Sequence, residues 1–157
     1  MHCQRPALVI TESRDFSPRA LSLLNAHFHV EVLDSTRRAL LDAVPGADVL
    51  WVRLRHRVDA DVMSTAPKLK VIVSPTTGLN HIDETEARKR GISILSLRGE
   101  TEFLRDVRAT AEMTVALMLS LMRNIPQAAA DVSHGVWNRD RFKGYELAGK
   151  HVGIVGH

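Results

Sequence analysis

Short aliphatic runs alternate with amphipathic stretches along the first hundred residues, and that alternation predicts an architecture. Residues 7–10 (ALVI) are apolar and bounded by polar positions, the pattern of a buried strand. Ser17 and Pro18 read as an N-cap followed by proline in the first turn, opening a helix through Leu21, Leu24 and Ala26. Residues 29–33 alternate polar and apolar and predict a second strand. Ser35 or Thr36 would cap a helix through Leu40, Leu41 and Val44 that stops at Pro45-Gly46. Residues 48–52 (DVLWV) predict a third strand, and 59–66 a short helix ended by Pro67. Residues 69–73 (LKVIV) predict a fourth strand, 83–89 a helix closed at Gly91, and 92–95 a fifth strand. Five aliphatic runs separated by helices imply a parallel α/β sheet covered on both faces, because parallel strands need crossover connections.

Past Leu97 the rhythm changes, and the composition shift over residues 97–105 marks a candidate domain boundary. Residues 106–122 predict a long helix whose second half, MTVALMLSLM, is apolar nearly all round. A helix without a polar face belongs between other elements. Asn124 and Pro126 would end it, and residues 127–134 predict a second helix before Gly135. A polar, basic segment, WNRDRFKGYELAGK, leads to a predicted strand at 152–155, with Gly156 where that strand turns into a loop. One reading of VGIVG is an edge strand that finishes at glycine. The other is the first glycine of a phosphate-binding G-x-G-x-x-G turn at which the chain is interrupted.

Composition narrows the chemistry. The 157 residues are 45% hydrophobic but only 4% aromatic, so the core must be aliphatic. A net charge of +3 is too weak a basic balance to imply nucleic acid. A single cysteine, Cys3, allows no internal disulfide, suits a reducing compartment and removes cysteine-based zinc sites. No histidine pair stands at metal-ligand spacing with a carboxylate, and no segment approaches the ~20 apolar residues of a membrane span. A soluble, cytoplasmic protein is the expectation.

From Ala47 onward the chain resembles the D-isomer-specific 2-hydroxyacid dehydrogenases. The resemblance is carried by ADVLWVR, VDADVMSTAPKLKVIV, TGLNHID, EARKRGISIL, ATAEMTVALMLSLMRNIP and GVWNR with GYELAGKHVGIVG, in that order. It implies a flavodoxin-like substrate domain over residues 1–100, followed over 101–157 by the beginning of a Rossmann NAD-binding domain. It implies hydride transfer between a nicotinamide cofactor, NAD or NADP, and a small 2-hydroxy or 2-keto acid, in a homodimer. The catalytic histidine, arginine and carboxylate of the family lie beyond the positions matched here, so the resemblance implies no catalytic residue in this chain and no activity for it alone. Two other readings stay open: an NADH-binding corepressor of the same fold, and a stand-alone flavodoxin-like binding module.

Several residues become candidates on this basis. The loop after the fourth strand lies at the carboxyl end of a parallel strand, where open α/β sheets bind ligands. Backbone N–H groups in a tight glycine-containing turn there can hold a carboxylate. By resemblance Thr76, Thr77 and Gly78 are substrate-binding positions, and Thr77 also lies near the cofactor. Thr76 stands where the family usually has a first glycine, and Asn80-His81 where it usually has Asp-Asn. Arg53, at the end of the third strand, matches an arginine often found there and suits a carboxylate or phosphate through paired hydrogen bonds. Thr110, Gly156 and His157 are the remaining cofactor-binding candidates. Glu112 reads as a helix-terminus residue, stabilised near an N-terminus by the helix dipole. Of the eight histidines only His81 falls on the cleft loop. Trp51 and Trp137 are expected to pack.

Overall fold

A computed structural model describes residues 5–33 and 36–155. Cys3, the alternative cap Ser35, and the cofactor candidates Gly156 and His157 lie outside the described residues. The chain divides into two compact units, residues 1–101 and 102–157.

The first unit is built on five strands: β1 (Ala7–Ile10), β2 (His29–Val32), β3 (Val49–Trp51), β4 (Val71–Ser74) and β5 (Ser93–Ser96). They pair in the order β2-β1-β3-β4-β5, all parallel. This is the flavodoxin-like order expected above, and its direction of winding reverses between β1 and β3, where such sheets open a crevice. Helices α1 (Pro18–His27), α2 (Arg37–Ala43), α3 (Ala60–Ser64) and α4 (Glu84–Lys89) make the crossovers. Each starts on a residue whose side chain accepts an otherwise unpaired N–H of the first turn: Ser17, Thr36, Asp59 and Asp83. Gly91 closes α4 at φ +69°, a left-handed conformation costly for any residue with a Cβ.

The core is aliphatic. Leu8, Ile10, Leu50, Ile72, Leu40, Val44, Val52, Val58 and Val62 are all buried, and most of them contact one another in a single cluster. Beyond the strands, Val58 and Ile82 form one more parallel bridge, with Val58 N–H donating to the His81 carbonyl at 2.7 Å and Asp83 N–H to the Val58 carbonyl at 2.9 Å. This bridge anchors the far end of the loop that follows β4.

Helix α5 (Thr101–Arg105) begins on the last residue of the first unit, and the second unit contains the rest of it with α6 (Ala109–Met122), α7 (Ile125–Ser133) and a short 3-10 turn at Arg139–Phe142. Sequence reading missed α5 and began α6 too early. Pro126 opens α7 rather than ending α6, since proline's missing N–H costs nothing in a first turn. The break between the helices falls on Asn124, at φ 54°. Gly144 packs against the end of α6, where a Cβ would lie 2.4 Å from the Met122 carbonyl oxygen, and Tyr145 N–H donates to that carbonyl at 2.8 Å.

Three expectations fail here. Residues 152–155 form no strand, and Val152, Ile154 and Val155 are exposed, because a strand needs a neighbour to pair with and none lies beside them among the described residues. Helix α6 has no buried residue, although its sequence is apolar on every side. Trp137 is 83% exposed rather than packed.

Candidate substrate-binding edge

The carboxyl ends of β1, β3 and β4 carry the polar residues of interest. Thr11 and Glu12 follow β1 and are both buried. The Thr11 N–H donates to the Trp51 carbonyl at 3.1 Å, which extends the β1–β3 ladder by one residue. That places the Glu12 carboxylate beneath the segment leaving β3. One of its oxygens accepts the Arg53 N–H and the other accepts the Arg55 N–H at 2.8 Å. A buried carboxylate is thereby satisfied by backbone donors, and the start of the β3–α3 connection is fixed.

Arg53 takes its place from that clamp. Its guanidinium donates to the Arg14 carbonyl at 3.3 Å, tying together the segments that leave β1 and β3. Glu12, Arg14, Asp15, Arg53, Leu54 and Arg55 line an open cavity of about 340 Å³ at this point, the place where the winding of the sheet reverses. Trp51 packs edge-on against Phe16, ring centroids 5.2 Å apart, beside the same arginine.

The loop after β4 is the second half of the edge. Leu97 N–H donates to the Thr76 carbonyl at 3.1 Å, and the Arg98 guanidinium reaches the Thr77 carbonyl at 3.4 Å while pairing with Glu84 at 2.9 Å. With the Val58–Ile82 bridge, the loop is held at its start, middle and end. Its carbonyls are well used; its donors are not. None of the N–H groups of residues 76–81 meets an acceptor among the described residues. Donors without an internal partner are left to meet solvent or a ligand.

Of the candidates, the sheet edge carries Arg53 after β3, and Thr76, Thr77 and Gly78 after the adjacent β4. The Thr76 hydroxyl is engaged within the loop, donating to the Gly78 carbonyl at 2.8 Å and standing 2.9 Å from the Ser74 hydroxyl. Thr77 and Gly78 are exposed, and a Cβ at Gly78 would meet nothing within 4 Å. Thr110 lies in the other unit, exposed near the start of α6, its carbonyl accepting from the Thr114 hydroxyl at 2.8 Å. The His81 ring is partly buried, its Nε2 3.0 Å from the Ser74 hydroxyl. Burial lowers the His81 pKa below the ordinary histidine value, and the charge of Glu12 opposes that shift. Sequence reading missed Glu12 and Ser74; the available signal was a polar residue placed at the carboxyl end of each aliphatic strand.

Among the described residues, no group of three or more His, Cys, Asp or Glu is placed to hold a metal ion, and no helix is long and apolar enough to cross a membrane.

Residues 8–138 match the family model of the D-isomer specific 2-hydroxyacid dehydrogenase catalytic domain. The chain is 40% identical over 138 residues to a D-3-phosphoglycerate dehydrogenase of Methanocaldococcus jannaschii, an alignment covering 87% of this chain and 25% of the relative. It is 34% identical over 164 residues to a glyoxylate reductase of Aeropyrum pernix, covering 98% of this chain and 47% of the relative. A crystal structure from Thermus thermophilus superposes with a TM-score of 0.76 at 32% identity, over 90% of this chain and 45% of the other. The chain thus spans about a quarter to a half of the length of these relatives.

Proposed function

The chain belongs to the D-isomer specific 2-hydroxyacid dehydrogenase family, and from that membership we propose that it supplies the substrate-carboxylate grip of an enzyme passing a hydride between a nicotinamide cofactor and C2 of a small 2-hydroxy or 2-keto acid. The observation that carries this reading is the run of N–H groups over residues 76–81 that meet no acceptor among the described residues, at the carboxyl end of β4, the strand that pairs with β3, from which Arg53 follows. A carboxylate in the turn would accept from that backbone, with the Arg53 guanidinium supplying charge from the neighbouring strand. Glu12 holds Arg53 in place through the backbone.

On this reading residues 1–100 form the substrate domain, and residues 101–157 begin the nucleotide domain of a cytoplasmic homodimer. By the family resemblance Thr77 would lie near the cofactor, and Thr110, in the second unit, is the position that would approach the nicotinamide ring. Among the described residues, 152–155 are unpaired and exposed and do not themselves form a site for the dinucleotide phosphates. Orientation and charge placement toward the acid are therefore this chain's share of the chemistry. The relatives, a D-3-phosphoglycerate dehydrogenase and a glyoxylate reductase, leave the choice of acid between phosphorylated and small unphosphorylated substrates.

The test is a two-dimensional amide NMR titration of the 157-residue chain with pyruvate and, separately, with methyl pyruvate. Pyruvate is expected to move the amides of Thr76, Thr77, Gly78, Leu79 and Arg53, and the ester, which lacks the carboxylate, to leave them in place. Equal responses to both compounds, or none at these residues, would overturn the reading. Pyruvate added with NADH to the isolated chain is expected to give no turnover.

A further inference from the structure

The hydroxyl groups of the β4 loop can be assigned proton by proton. A carbonyl oxygen only accepts, so the Thr76 hydroxyl must donate its single proton to the Gly78 carbonyl, 2.8 Å away. Thr76 has then no proton left for Ser74, 2.9 Å away, and the Ser74 hydroxyl must be the donor there. Ser74 has in turn spent its proton, so its 3.0 Å contact with His81 requires His81 Nε2 to donate. The chain runs one way only: His81 Nε2–H to Ser74, Ser74 to Thr76, Thr76 to the Gly78 carbonyl.

That direction has a geometric result. The peptide between Gly78 and Leu79 is planar and trans, so its carbonyl and its N–H point opposite ways. Holding the carbonyl toward Thr76 turns the Leu79 N–H away from it, and that N–H meets no acceptor among the described residues. Ser74 is buried on strand β4, and the His81 carbonyl is held in the bridge to Val58, so the first two members of the relay stand on fixed backbone. We infer that His81 is a positioning residue: through Ser74 and Thr76 it fixes the Gly78–Leu79 peptide so that the Leu79 N–H is presented to the substrate carboxylate. The inference rests on the carboxylate reading above and adds to it the group that sets the loop's orientation.

Nitrogen NMR of the His81 ring and amide spectra of four proteins test it: wild type, His81→Leu, His81→Gln and Ser74→Ala, with pyruvate as the probe. In wild type at pH 8, Nε2 is expected to carry the proton and Nδ1 to be bare. His81→Leu and Ser74→Ala should shift the Leu79 amide in the same direction. Each should weaken pyruvate binding about fivefold, the loss of roughly one hydrogen bond. His81→Gln, whose amide nitrogen reaches the position of Nε2, should restore both readouts, which a mere space-filling role would not require. A proton on Nδ1 in place of Nε2, or a Leu79 amide unmoved in Ser74→Ala, overturns the inference even where pyruvate still binds. The expected tautomer with a Leu79 amide insensitive to pyruvate in wild type overturns the carboxylate reading, and the presentation role with it.

Discussion

Residues 5–101 and residues 102–155 meet the same physical demand with opposite results. Every buried hydrophobic residue of the described chain lies between Leu8 and Ile92, whereas Leu117 and Leu121 of α6 are 56% and 79% exposed. In the first region α2, α3 and α4 each bury residues against the core cluster, and α1 alone among its crossover helices buries none. Helix α6 is apolar on all sides, and α7 with the short turn behind it offers too little surface to cover it. A sequence can call for burial without containing what would bury it. The candidate site stands on the region where that demand is met.

The largest expected effect contrasts the two regions directly. Leu50→Ala, at a fully buried position in β3, should lower unfolding free energy by about 2–5 kcal/mol in denaturant titrations. Leu121→Ala should change it by less than about 0.5 kcal/mol. Similar losses from the two would break the comparison.

Next in size is Asp59→Ala, which removes both the cap of α3 and the 2.8 Å pairing with Arg37 that joins α3 to α2. A loss of about 1–3 kcal/mol is expected by thermal or chemical unfolding. Burial works against the Asp59 charge, but the Arg37 guanidinium and the Val62 N–H outweigh it and hold the carboxyl below its usual range. The Ala7 N–H, and then Lys70, do the same for Asp48.

Acid titration of stability sharpens the contrast further. His81 binds its proton less readily in the fold than in the unfolded chain. Stability should therefore fall as pH drops below about 6.5, the unfolded histidine value, until the folded His81 also titrates. The contributions of Asp48 and Asp59 are complete above the ordinary carboxylate range and are lost as pH falls through their lower folded values. His81→Gln should remove only the first of these two limbs. Each group named here lies within residues 5–101.

The smallest effect on stability is expected from Gly78→Ala, because a Cβ there meets nothing within 4 Å and the backbone is not left-handed. Its unfolding midpoint should match wild type while pyruvate binding weakens, since on the proposed reading a methyl group would stand where the carboxylate approaches the backbone. A parallel loss of stability would make Gly78 a structural residue only.

What could be read in the sequence was what is local. Ser17, Thr36, Asp59 and Asp83 cap helices by reaching a backbone N–H three residues ahead, a spacing visible in one dimension. The five strands were legible because buried parallel strands are continuous aliphatic runs. Glu12 was not legible, since its partners Arg53 and Arg55 lie more than forty residues away and meet it only through the β1–β3 register. The Ser74–His81 contact depends in the same way on the bridge that returns the loop to Val58. Residues 152–155 carry the local signature of a strand, and local pattern cannot supply a pairing neighbour.

Native-state amide hydrogen exchange on the 157-residue chain tests the division most directly. The amides of Leu50, Ile72 and Ile10 are expected to exchange only with global unfolding, and those of α6 far faster, through local opening. Equal protection of α6 and the central strands would contradict the claim that the candidate edge rests on the only self-sufficient core among the described residues.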